Sequence, residues 1–242
     1  MRLTLSPVGW LPLRSGWLSD DSDRYSLPLP RCARLHYNQV VFRVIPPLVV
    51  VFFTLASAGS SASALSRQDI DYSELYAKGI TFAEFLENAR ARRDEWRAHY
   101  NDATVTPDLV TRMRALPEKR RLLIVMEDWC SDSANTVPYI ARLVDGAPER
   151  LEMRVINTQL GKAVMEAHRT PDGRTATPTV VVLGADGRVI GAWTERPSSV
   201  QTWFLEKQKT TMQKPLHDEL IEWYARDAGK TTVTEVADIL SR

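Results

Sequence analysis

The feature that most limits how this chain can fold is the run Leu122-Leu-Ile-Val-Met126, five consecutive apolar residues between Lys119-Arg-Arg121 and Glu127-Asp128. A half-buried strand alternates apolar and polar residues, so an unbroken run suits a strand buried on both faces. The sequence around it reads as helices. Thr81-Phe-Ala-Glu84 is a capping box, and Phe82, Phe85, Leu86, Ala89, Trp96 and Tyr100 recur at helical spacing, which predicts one helix of about 18 residues. Thr106-Pro107 supplies an N-cap and a first-turn proline for a second helix carrying Leu109, Val110, Met113 and Leu116, and Pro117 ends it.

Downstream of the apolar run, a helix is expected from Cys130 to about Val144, ahead of Gly146. A strand at Leu151-Glu-Met-Arg-Val-Ile156 and a helix with Leu160, Val164, Met165 and His168 follow, giving a βαβα block. Thr179-Val-Val-Val-Leu183, Gly-Ala-Asp-Gly187 and Arg188-Val-Ile-Gly-Ala-Trp193 read as a hairpin with Asp186-Gly187 in its turn, so this pair is antiparallel. Helices are predicted after Pro197 to Lys207 and from about His217 to Arg226, with Thr232-Val-Thr-Glu235 capping a short terminal one.

Residues 1–64 are a different kind of sequence. They carry six Arg and three Asp but no Lys or Glu, and Val44 to Ser66 is uncharged, with its most apolar part in 44–58. Arg43, an apolar run of about 12 to 15 residues and the small-residue end Ala62-Ser63-Ala64 form the pattern of a secretory signal peptide. About 40 residues precede Arg43, longer than a usual positive region, so a translation start near Val40 or Val41 is one expectation. Export (periplasmic or secreted) is the favoured reading, and a membrane anchor or an untargeted cytoplasmic chain are the alternatives. Any membrane contact would come only through this segment, if uncleaved.

The rest of the composition excludes more than it assigns. The formal net charge is +1, which provides no stripe for a phosphate backbone, so no nucleic-acid partner is expected. Arg90-Ala-Arg-Arg93 and Lys119-Arg-Arg121 read as solvated faces. Two cysteines, Cys32 and Cys130, cannot build a disulfide scaffold or a four-cysteine zinc site, and His36, His99, His168 and His217 are too scattered to suggest a metal site.

The βαβα block, hairpin and closing helix, with Trp129-Cys130-Ser131-Asp132-Ser133 directly after a buried strand, resemble the thioredoxin superfamily. Pro138 lies where typical thioredoxins have the proline that kinks the active-site helix, and Thr177-Pro178-Thr179 leads into a strand as the family's cis-proline loop does. Residues 70–242, with Glu127-Asp-Trp-Cys130 and Trp223-Tyr-Ala-Arg-Asp227, look like a bacterial thioredoxin-like family with a single active-site cysteine. The resemblance implies an α/β, thioredoxin-like fold, a central mixed β-sheet flanked by helices, with additional helices at both ends. Its implied parts are a helical extension at 65–117, a core at 118–208 and C-terminal helices at 209–242. It further implies that Trp129, Thr177 and Pro178 contact substrate.

This sequence also departs from the pattern. Ser133 replaces the second cysteine of Trp-Cys-x-x-Cys, so dithiol reduction through an internal disulfide is excluded, and Ile124 stands where typical thioredoxins have a buried acid. Monothiol chemistry remains. A thiolate is the nucleophile, and N–H groups at a helix N-terminus stabilise it. Cys130 is expected there, with Ser133 one turn on as a hydrogen-bond donor. Glu127, Asp128 and Asp132 oppose this if their carboxylates lie close. Two functions follow. In the first, Cys130 forms mixed disulfides with a protein or peptide partner and is released by glutathione or another low-molecular-weight thiol as co-substrate, with no bound cofactor. In the second, Cys130 is a buried core residue and the cis-proline groove serves a non-redox binding or structural module.

Overall fold

The computed structural model describes residues 70–242. The apolar N-terminal segment, Cys32 and His36 lie outside them. The first four helices are α1 (Tyr72–Lys78), α2 (Phe82–Asn88), α3 (Arg93–Asp102) and α4 (Pro107–Arg114). Strand β1 (Arg120–Val125), helix α5 (Ser131–Gly146), strand β2 (Leu151–Ile156) and helix α6 (Lys162–Ala167) form the βαβα block. The hairpin β3 (Thr179–Leu183) and β4 (Val189–Thr194) and the helices α7 (Ser198–Lys207), α8 (Gln213–Asp227) and α9 (Lys230–Leu240) complete the chain.

The strands form one mixed sheet in the order β2-β1-β3-β4, with β1 parallel to β2 and antiparallel to β3, and β3 antiparallel to β4. Leu122 faces Met153 and Val182, and Ile124 faces Val155 and Val180. Alternate residues of β1 serve two cores: Leu122 and Ile124 join a large cluster with Trp96, Ile140 and Val236, whereas Leu123 and Val125 join a smaller one with Tyr76, Val164 and Met165. That is why β1 needs apolar side chains at every position from Leu122 to Val125. A third cluster, around Val200, Phe204, Leu216, Leu220 and Tyr224, joins α7 to α8. Gly187, at φ +84°, turns the hairpin.

Four features depart from the sequence reading. The single helix expected from Thr81 is two, because Ala89 leaves the helical region (φ −57°, ψ 131°) and Arg92 is left-handed (φ 52°). The break is satisfied from outside: the Asp128 carboxylate accepts the N–H groups of Arg90 and Ala91 at 2.8 and 2.9 Å, and the Arg93 guanidinium donates to the carbonyls of Ala89 and Glu87. Helix α1, capped by Asp71, has no counterpart in the sequence reading. The Thr232-to-Glu235 capping box does not form, since α9 starts at Lys230 behind Gly229 (φ +73°) and Thr232 lies buried within it. Nor are the basic runs simply solvated: Arg92 donates to the Trp129 carbonyl, and Arg120 is buried, paired with Glu118 and bonded to the Leu240 carbonyl.

Candidate functional site

Strand β1 delivers the chain into the loop Glu127-Asp128-Trp129, and Cys130 follows as the N-cap of α5. Its Sγ accepts the backbone N–H of Ser133 at 3.5 Å and donates to the carbonyl of Thr177 at 3.3 Å. The Thr177–Pro178 peptide bond is cis, Pro178 is buried, and its carbonyl accepts the N–H of Glu195 at 2.8 Å. Cys130 therefore meets Thr177 of the cis-proline loop. The two sulfur contacts differ chemically, because the Thr177 carbonyl needs the proton of the thiol whereas the Ser133 N–H can serve thiol or thiolate. Only 8% of Cys130 is exposed, against 62% of Trp129 beside it.

Ser133 meets the sulfur through its backbone. It is fully buried, its hydroxyl has no hydrogen-bond partner among the described residues, and its contact with Cys130 runs through the backbone N–H. The reason is geometric: at an N-cap the accepting side chain faces the backbone N–H three residues on, not the side chain there.

Each nearby carboxylate has partners of its own. Glu127 accepts the N–H and hydroxyl of Thr158 at 2.9 and 2.6 Å, and Asp128 holds the break between α2 and α3. Asp132 accepts from Nε and Nη2 of Arg196, at 3.0 and 2.9 Å, and from the Tyr224 hydroxyl at 2.7 Å. Burial and then Asp132 push the Tyr224 phenol well above its ordinary pKa, so it stays a donor. Burial works against the charge on Arg196, but Asp132 and Glu195 outweigh it and raise its pKa.

The N-terminal helices fix the loop from the other side. The fully buried Trp96 donates its indole N–H to the Asp128 carbonyl at 2.9 Å, and Arg92 Nε reaches the Trp129 carbonyl at 2.9 Å. Also on α3, His99 Nδ1 lies 2.7 Å from the Ala134 carbonyl and Glu95 accepts from Asn135 of α5.

Residues 79–213, more than half of the chain, match the model of the family described as thioredoxin. The chain belongs to the thioredoxin family. Two solved structures share this thioredoxin-like fold. A protein of unknown function from Pseudomonas aeruginosa is 20% identical with a TM-score of 0.58, covering 71% of this chain and 97% of its own. An HIV epitope-scaffold is 19% identical with a TM-score of 0.56, covering 71% and 98%. At such identities the likeness concerns the fold alone. No curated protein matches the chain. Relative to a thioredoxin with two active-site cysteines, the described residues hold one, Cys130.

Among the described residues no group of three or more His, Cys, Asp or Glu side chains could hold a metal, and no helix is long and apolar enough to cross a membrane. Arg196, Tyr224 and Trp96 carry no sign in the sequence of a place at the site. Trp96 was visible only as an apolar position, and Arg196 and Tyr224 lie 64 and 92 residues from the Asp132 they hold, so no local pattern links them.

Proposed function

We propose that this protein is a monothiol redox protein that exchanges disulfides through Cys130. The observation that carries this reading is the placement of Cys130 Sγ at the N-terminus of α5, on the Ser133 N–H and against the Thr177 carbonyl of the cis-proline loop. An N-terminal N–H favours the thiolate, which is the reactive form. The thiolate attacks one sulfur of a partner disulfide, a Cys130–sulfur bond forms, and the other sulfur leaves as a thiolate that takes a proton from water. With Ser133 in place of a second cysteine, release falls to an external low-molecular-weight thiol such as glutathione. That thiol, as its thiolate, attacks the partner sulfur of the mixed disulfide and expels Cys130 as thiolate, so the partner leaves joined to the small thiol. Trp129 and the backbone of Thr177 form the surface on which a protein or peptide partner docks.

The second reading, a binding module without redox chemistry, is favoured by one observation: Cys130 is nearly enclosed while Trp129 is open. One experiment separates the two. The folded full-length chain is treated with iodoacetamide across pH, and the Cys130 peptide is followed by mass spectrometry. Rapid alkylation at neutral pH, and a mixed disulfide at Cys130 on addition of oxidised glutathione, are expected. A thiol that reacts only after denaturation would replace the redox reading with the binding module.

A further inference from the structure

Behind the thiol runs a chain of charges that joins both loops of the site. Asp132, two residues after Cys130, is gripped by Arg196, whose guanidinium also pairs with Glu195 at 3.2 Å, donates to Gln201 Oε1 at 3.3 Å and stacks 4.1 Å over the Phe204 ring. Glu195 in turn takes Arg174 at 3.0 Å, and its own backbone, left-handed at φ 67°, bonds the carbonyl of Pro178. Arg196 and Glu195 are both buried, at 8% and 4% exposure. A left-handed non-glycine residue with a buried carboxylate is held only where the surroundings over-determine it. The Arg196 side chain and the Glu195 backbone N–H therefore link the first turn of α5 to the cis-proline loop.

We propose that Arg196 is a positioning residue for the Cys130 thiol, acting through Asp132. By occupying both oxygens of Asp132 it neutralises the carboxylate nearest in sequence on the thiol's own helix and fixes the turn from which the Ser133 N–H meets the sulfur. Tyr224, from α8, shares the task by donating to the same carboxylate. This rests on the monothiol reading. The other charged groups around the thiol are already engaged: Glu127 with Thr158, Asp128 with the N–H groups of Arg90 and Ala91, Arg92 with Glu95, and His99 with the Ala134 carbonyl. Asp132 is thus the carboxylate whose compensation depends on a single buried cation. Without Arg196 its charge is left with the Tyr224 hydroxyl alone and no cation, which disfavours a neighbouring thiolate.

The test is the pH profile of Cys130 alkylation in the full chain, read on the Cys130 peptide, for wild type, Arg196→Met, Asp132→Asn and the double variant. Arg196→Met is expected to move the profile up by roughly one pH unit, a loss of about tenfold in rate below the inflection. Asp132→Asn moves it down or leaves it in place, and adding Asp132→Asn to Arg196→Met brings the profile back towards wild type. If Arg196→Met lowers the melting temperature but leaves the profile unmoved, or if the double variant shifts as far as the single, Arg196 is merely structural and the proposal is overturned. Should Arg196→Met fail to fold, Tyr224→Phe decides: a smaller upward shift supports the proposal and no shift overturns it. A wild-type thiol that is inert while folded defeats the monothiol reading itself, an outcome distinct from a reactive thiol indifferent to Arg196.

Discussion

The carboxylate of Asp128 accepts the backbone N–H of Ala91 at 2.9 Å, across 37 residues of sequence. With the Arg90 N–H on the same oxygen, it satisfies the start of the break between α2 and α3 and ties the N-terminal helices to the loop that carries Trp129 and Cys130. Asp128→Ala leaves two N–H groups without this acceptor. A loss of about 1–2 kcal/mol, the scale of a lost helix cap, is expected in urea denaturation. Asp128→Asn keeps an acceptor oxygen and should lose less; no loss for Asp128→Ala would mean that the carboxylate holds nothing.

Gly229 sits at φ +73°, and a Cβ there would lie 2.1 Å from Cγ of Tyr139 on α5. Gly229→Ala therefore combines backbone strain with overpacking of a ring that cannot move freely in the core. Together these are worth roughly 2–5 kcal/mol. The double variant with Tyr139→Ala should recover only part of the steric cost, since Cβ of residue 139 stays 2.6 Å away, and denaturation midpoints that add without coupling would contradict the contact.

Glu235 takes the place of a capping residue in another role. Its carboxylate accepts the indole N–H of Trp193 at 2.7 Å and the N–H and hydroxyl of Ser198 at 2.9 and 2.8 Å, so it joins β4, the start of α7 and α9. Glu235→Ala is expected to cost about 1–3 kcal/mol by leaving these donors unpaired. Ser198→Ala in the same background should add little, since its hydroxyl partner is already gone.

His168 is partly buried, with Nε2 2.9 Å from the Tyr72 hydroxyl, and burial holds its pKa below the usual 6.5. The unfolded chain therefore binds a proton at higher pH than the folded one. This contribution is fully present above about pH 6.5 and is lost as the pH falls from there through the folded value. Melting temperatures from pH 8 to pH 5 should fall more steeply for wild type than for His168→Gln. Parallel curves would show that His168 is not linked to stability.

Much of the architecture is written in short stretches of chain. The apolar run before Glu127 specifies a strand covered on both faces, Asp186-Gly187 a tight turn, and Thr106-Pro107 a helix start, because each depends on torsion preferences and periodicity within a few residues. Cys130 as a helix start was legible for the same reason, whereas the Thr232 capping box failed because four residues cannot show that Gly229 and Asp227 start the helix earlier, the latter bonding the N–H and hydroxyl of Thr231.

Sequence alone thus determined the strands, the turn and the chemistry available at Cys130, including the absence of a cysteine at Ser133. Tertiary structure alone decided where α2 stops, which atom of Ser133 meets the sulfur, and that Arg196 and Tyr224 converge on Asp132. Ala89 and Trp96 stand seven residues apart and fit one helical face across the charged stretch between them, so only an acceptor from 37 residues away, Asp128, marks the break in the helix. A buried charge has to find its partner wherever the fold brings one, and sequence distance carries no record of that meeting.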